Sequence, residues 1–450
     1  MHLEDYTTGD LKKQLLTMAV PVSVGLFFNT MFNVVDTYWA GRLGTSSLAG
    51  MSLSFSVFFI LIAIIGGLGT GLSALLAISY GKKDEAGVRA LTVNGLALTL
   101  AVGVVIGILG YIISPKLLAL LGAEGDTLLQ GTYYVRGIYA GTLFFALNSA
   151  LSALLSSRGI TKPYRNYLIV GFFINLILDP MFIYGPFGLP KMGTFGVALA
   201  TVVVQILGNI YLTYKCVKML ELDASIFKRA GIKLKMQLEI LSQGIPASLN
   251  MLTMALGIFV INYFIYKHGD DAAIAGYGVG MRIEQLALLP AIGLNTAVVT
   301  LAGQNYGAKN IKRVRLTYTE GLKLGMIIMT VGMIIIFPLA SVLIGAFNQD
   351  KQVIFEGARY LRIEFLAFNG YIILNIGLSV LQAIKKPHYA IWIGLYRQIA
   401  MPILLFTLFG EVFGWGLIGI WWGIVTTVWT GAFACILAAS HELKKLQNDN

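Results

Sequence analysis

Two carboxylates stand inside apolar runs where charge is costly: Asp36 in FNVVDTYWAG and Asp179 in INLILDPMFIYG. An ionisable group at bilayer depth must be paired, neutralised or hydrated, which makes each of these residues a functional candidate. Asn175 precedes Asp179 by one helical turn and so shares its face. Thr201 and Tyr139 fall at a comparable depth once the helices are laid out. Two carboxylates, an amide and a hydroxyl can hold sodium in an oxygen cage, with Asp36, Asn175, Asp179 and Thr201 as ligands. They can equally form a site in which neighbouring acids share a proton. A third reading leaves either aspartate capping a helix end near the headgroups.

The elements that must position these groups follow from composition. Hydrophobic residues make up 57% of the 450 positions and charged residues 12%, against about 25% charged in a soluble domain. Mean hydropathy is +0.76. Such a chain cannot cover a water-facing surface, so its solvent is lipid and its spanning elements are helices. A spanning helix needs roughly 20 apolar residues. Spans are expected at 14–40, 48–79, 90–114, 130–156, 165–185 and 193–215, then at 238–266, 274–305, 317–346, 357–384, 390–410 and 416–439. The first span follows an acidic opening with no small-residue cleavage site and is expected to be retained. Cys216 and Cys435 suggest neither a disulfide framework nor a metal centre.

Asp36 lies about four residues, ~6 Å, before the outer end of the first span, and Asp179 about six residues, ~9 Å, before that of the fifth. With an even number of spans both termini share a side. Lys12, Lys13, Lys82, Lys83, Lys162, Lys228, Arg229, Lys309, Lys385 and Lys444 then gather on that side, against Arg42, Lys116, Lys191, Lys267, Lys351 and Arg359 on the other. Cytoplasmic termini and multi-pass residence in the plasma (inner) membrane follow. The net charge of +11 is accounted for by this bias, and no nucleic-acid partner is expected.

The halves repeat. Ala49-Gly50 aligns with Ala275-Gly276, Gly67-Leu68 with Gly293-Leu294, Tyr80-Gly81 with Tyr306-Gly307, Val88-Arg89 with Val314-Arg315 and Pro21 with Pro246. A duplicated unit with an even number of spans keeps its orientation. The expected fold is therefore an all-α membrane protein of twelve transmembrane helices in two parallel six-helix bundles around a central cavity. The expected domains are an N-lobe at 1–215, a basic cytoplasmic linker at 216–237 and a C-lobe at 238–450. No GxxxxGK[ST] phosphate loop occurs, which points to transport driven by an ion gradient rather than by a nucleotide.

The acids are not duplicated: Ile261 occupies the position matching Asp36. Ion coupling is thus expected in the N-terminal half. Arg282, Glu284 and Arg397 are intramembrane charges of the other half, with a Glu284–Arg397 salt bridge as the structural expectation. Pro21, upstream of Asp36, removes one ladder hydrogen bond and is either a hinge or a static kink.

The stretch AVPVSVGLFFNTMFNVVDTYWAGRLGTSSLAG, the segment NLILDP, the paired GLGT/GLNT and YGKK/YGAK motifs and GQNYGAKNIKRVR resemble the multidrug and toxic compound extrusion (MATE) transporters, most closely the DinF-type prokaryotic branch. The resemblance spans essentially the whole chain. It implies a secondary active antiporter, not an enzyme, that exports amphipathic and often cationic organic compounds in exchange for protons or sodium by alternating access. No further cofactor is implied. Partners would be small organic substrates and the lipid bilayer, with the protein monomeric. By the same resemblance Asp36, Asn175, Asp179 and Thr201 line the N-lobe cavity and Pro21 is the bending proline. Asn29, Phe32, Asn33 and Asn148 are candidates for the substrate cavity. The alternative within the superfamily is a lipid-linked precursor flippase, for which basic cavity residues are expected.

Overall fold

The computed structural model describes residues 5–221 and 231–448, so Lys228 and Arg229 of the linker lie outside the described residues. Every regular element among the described residues is helical. The first group is α1 (Leu11–Leu43), α2 (Thr45–Gly81), α3 (Glu85–Leu120), α4 (Gly125–Ala140), α5 (Thr142–Ser157), α6 (Lys162–Tyr184) and α7 (Gly193–Leu220). The second is α8 (Leu234–His268), α9 (Asp271–Ala287), α10 (Leu289–Gly307), α11 (Ile311–Gly345), α12 (Lys351–Glu364), α13 (Phe368–Ala383), α14 (His388–Leu395), α15 (Met401–Phe406) and α16 (Gly416–Asn448). Among the described residues 10 stretches are long and apolar enough to cross a membrane, and the count reaches 12 if each of two bent pairs forms one span.

Those two spans are broken where a continuous helix was expected. α4 and α5 meet at 49° across Gly141, where an added Cβ would collide with Val202 of α7. The glycine lets α7 pack against the corner. α9 and α10 meet at 41°, and Pro290 stands in the first turn of α10. Proline has no N–H to extend the preceding ladder, so the helix restarts there. The expected eleventh span is interrupted by π-helical turns at Tyr396–Ala400 and Thr407–Val412. By contrast α1 runs through Pro21 and α6 through Pro180 without interruption.

The chain divides into two compact units. One is Val24–Ser248; the other joins Met1–Ser23 to Leu249–Asn450. Both divisions fall two residues after a proline of the repeat, Pro21 or Pro246. Within the first unit α2 crosses α4 at glycine on glycine: a Cβ on Gly50 would lie 2.6 Å from the Gly131 nitrogen. Within the second, α9 crosses α12 in the same way, with 2.6 Å from a Gly276 Cβ to the Gly357 nitrogen. Lipid supplies no hydrophobic drive between helices, so such close backbone approach is what holds them together.

The YGKK/YGAK motifs also have a structural cause. Lys83 and Lys309 adopt left-handed φ of 55° and 58°. The next amides bond back, Asp84 N to Ser79 O at 3.0 Å and Asn310 N to Asn305 O at 2.9 Å, closing the helix in a Schellman turn. Asp84 then caps α3 through Gly87 N, and Asn310 caps α11 through Arg313 N. One short motif thus ends one helix and starts the next.

Candidate functional site

Asp36 sits on α1 within the first unit, 3% exposed, and Asp179 on α6, fully buried at 0%. Asn175, one turn before Asp179, spans the gap between them. Its Nδ2 donates to Asp36 Oδ1 at 2.7 Å and to Asp179 Oδ2 at 3.0 Å. Thr201 on α7 donates its hydroxyl to Asp36 Oδ2 at 3.2 Å and to the Val197 carbonyl at 3.1 Å. The two carboxyls share the Asn175 amide nitrogen as a common donor. Asp179 Oδ1 and Asn175 Oδ1 are buried with no hydrogen-bond partner. Three helices therefore close on a buried polar cluster that keeps unused acceptor capacity, an arrangement suited to a small cation or a mobile proton.

Tyr139 does not join the cluster. Its hydroxyl donates to the Val57 carbonyl at 2.9 Å, and its ring lies where a Cβ on Gly110 would fall. Depth alone cannot tell which face of α4 a residue takes. The tyrosine in electrostatic reach of both acids is Tyr134, buried one and a half turns earlier on the same helix. Sequence reasoning missed it, and the signal was available: Tyr134 matches Tyr360 in the repeat, and both lie beside buried acids.

The substrate-cavity candidates are divided. Asn29 and Asn33 are exposed on α1 and joined by Asn33 Nδ2 donating to the Asn29 carbonyl at 3.0 Å. Phe32 is half-buried against the apolar core of the same unit. Asn148 is buried on α5, with its Nδ2 lacking a partner, so it does not share the open surface of the other three.

The second unit carries a polar cluster of its own. Glu284 on α9 does not pair with Arg397; its Oε2 accepts the Tyr360 hydroxyl at 2.7 Å. Glu364, buried at the end of α12, accepts the Tyr371 hydroxyl at 2.7 Å and leaves Oε2 without a partner. Arg397, on the first π-helical turn, stands 5.6 Å from the Tyr371 ring centroid. Tyrosine hydroxyls have taken the place of the expected ion pair. Among the described residues no group of three or more His, Cys, Asp or Glu side chains could hold a metal ion.

Comparison with known proteins agrees with this architecture. The MatE family profile matches residues 21–181 and 246–412. The probable multidrug resistance protein YoeA of Bacillus subtilis is 28% identical over 384 residues, 83% of each chain. A protein described as an FAD transporter from Shewanella oneidensis is 28% identical over 401 residues, 88% of each. The outward-facing structure of a multidrug resistance MATE family transporter of the MOP superfamily matches with a TM-score of 0.92, over 99% of both chains at 24% identity. The last likeness is one of fold. The long apolar helices and the family profile together make the identification: the chain belongs to the MatE family of membrane transporters.

Proposed function

We propose that the protein is a secondary active antiporter that exports amphipathic, often cationic organic compounds by alternating access, with protons as the coupling ion. The observation that carries this reading is the Asn175 bridge between the two buried aspartates. Asn175 offers its amide nitrogen to both acids and Thr201 offers its hydroxyl to Asp36. Hydrogen-bond donors directed at carboxylates suit acids that exchange a proton; a sodium cage at Asp36, Asn175, Asp179 and Thr201 would need the amide oxygen turned inward. A proton or an organic cation then competes for the same negative site, and binding of either favours a different conformation.

We place the chain in the DinF-type branch by its first-span aspartate, Asp36, and its fifth-span Asn-x-x-x-Asp pattern, Asn175 and Asp179 on α6. Multidrug substrates are supported by the description of YoeA. A lipid-linked precursor flippase calls for basic cavity residues, whereas among the described residues the buried charged side chains of the first unit are the acids Asp36 and Asp179. The lobes at 1–215 and 238–450, a cytoplasmic 216–237 linker, cytoplasmic termini, a monomeric state and a hinge at Pro21 complete the proposal.

The deciding experiment is efflux of a fluorescent lipophilic cation from proteoliposomes with proton and sodium gradients imposed independently. Efflux driven by the proton gradient alone supports the reading. Efflux driven by sodium alone returns the site to the oxygen-cage alternative, and no efflux under either gradient refutes antiport.

A further inference from the structure

Arg136 is an intramembrane charge with no acid to neutralise it. It lies on α4, about 9 Å along the helix from the expected start of its span at 130, beside Tyr111, which is about 4.5 Å before the expected end of the third span at 114. Among the described residues no ion pair involves it. Its Nε donates to the Tyr111 carbonyl at 3.3 Å, and its guanidinium carbon stands 4.9 Å from the Tyr111 ring centroid. That contact holds the guanidinium plane but leaves its terminal amines without a protein acceptor among the described residues. A cation at this depth requires an anion or a route to water.

Beside the arginine lies a trough of about 370 Å³ between α3 and the α4–α5 corner. Tyr111 belongs to both features. From there the trough follows α3 past Ile108 and Gly107 to Val104 and Gly103, with Leu143 of α5 opposite, a run of about 12 Å along the helix. The glycines keep its floor low: a Cβ on Gly107 would lie 3.1 Å from the Tyr139 carbonyl, and one on Gly103 2.6 Å from Ala146. Val104, Ile108, Ile112 and Leu143 are all exposed side chains in a chain whose solvent is hydrocarbon. The trough thus opens toward lipid tails, not toward the aspartate cluster.

A hydrocarbon trough lined by the same tyrosine that anchors an anion-deficient guanidinium has the chemistry of one ligand class. We propose that this crevice is a binding site for an anionic phospholipid, with one acyl chain in the trough and the phosphate on the terminal amines of Arg136. The planar guanidinium offers a phosphate two parallel donors. Charge complementarity selects the occupant, because a zwitterionic lipid would fill the trough yet carry no net charge to meet the arginine. The α4–α5 corner holds the acyl chain, so the bound lipid braces the bend that Gly141 creates.

The test is native mass spectrometry of the delipidated full chain, titrated with phosphatidylglycerol or phosphatidylcholine of identical acyl chains. The unmodified chain should prefer phosphatidylglycerol by about fivefold or more, the usual worth of one basic residue against an anionic lipid. Arg136→Ala should abolish that preference, Arg136→Lys should retain part of it, and Ile108→Trp, which fills the trough, should weaken both lipids. Ile108→Trp lies on an exposed face and keeps the test alive if Arg136→Ala does not fold. Equal binding of the two lipids by the unmodified chain, or an undiminished preference in Arg136→Ala, would overturn the assignment. Unchanged phosphatidylglycerol affinity in Ile108→Trp would overturn the trough as its seat.

Discussion

Asn175 Nδ2 lies 2.7 Å from Asp36 Oδ1, a bond between residues far apart in the chain that ties α6 to α1 near the C-terminal ends of both helices. The same nitrogen serves Asp179, so a change of protonation at either acid is felt at the other through one amide.

Asp36→Asn and Asp179→Asn are each expected to abolish gradient-driven efflux in proteoliposomes while membrane insertion and monodispersity persist. Neutralising a buried acid removes a desolvation cost, so the fold should not suffer. Substrate binding should survive in part, because the ion acts by biasing the conformations. Normal efflux by the double variant would move the coupling site elsewhere.

Asn175→Leu keeps the approximate volume and removes the shared donor. Two carboxyls then face each other with no amide between them, and the loss should be about 1–3 kcal/mol, seen as a lower midpoint in thermal unfolding. Coupling should fail as well. An unaltered midpoint together with full efflux would show that the bridge is incidental.

Glu284→Gln is the contrasting case. Its carboxylate is engaged by the Tyr360 hydroxyl within the second unit, and the amide oxygen can still accept that bond. We expect a stability change of about 1 kcal/mol or less with efflux retained. Loss of efflux at unchanged stability would give this glutamate a part in coupling.

The repeated glycine crossings make a paired prediction. Gly131→Val and Gly357→Val each place a side chain against the backbone of a neighbouring helix, and overpacking of this kind costs about 1–3 kcal/mol or more. Both variants should lower the yield of monodisperse protein to a similar degree. A tolerant response at one site alone would separate the two halves energetically.

Orientation is tested by tags at the N-terminus, within the 216–237 linker and at the C-terminus, all expected to report the cytoplasm. A periplasmic signal from the linker would reverse the parallel-repeat proposal.

The legible part of the molecule was the part written in hydropathy and in misplaced polarity. Long apolar runs marked the spans, and the rarity of acids within them singled out Asp36 and Asp179. Depth counting, together with the resemblance, put Asn175 and Thr201 with them, and all four lie in one cluster. Depth could not choose between faces of a helix, which is why Tyr139 was grouped with the acids and Tyr134 was not. The corner at Gly141 depends on the shape of Val202 against it, and no local pattern carries that information. Pro290 was visible, but a proline can be absorbed, as Pro21 and Pro180 are, or can end a helix; tertiary packing decides. Arg136 stands inside the apolar run of the fourth span as the aspartates stand in theirs, so the same rarity of charge marks it in the sequence.

The division of the chain at Ser23 and Ser248 rather than in the linker bears on ancestry. Each compact unit takes in the opening of the other half's first helix, as α1 and α8 both change unit just beyond a proline. Before the duplication, a single-copy ancestor with this packing would have been a domain-swapped homodimer, each protomer lending its partner that opening segment. Its descendants should keep the mutual dependence. Fragments separated within 222–230 should be degraded when produced alone and should accumulate when produced together, as an obligate heterodimer.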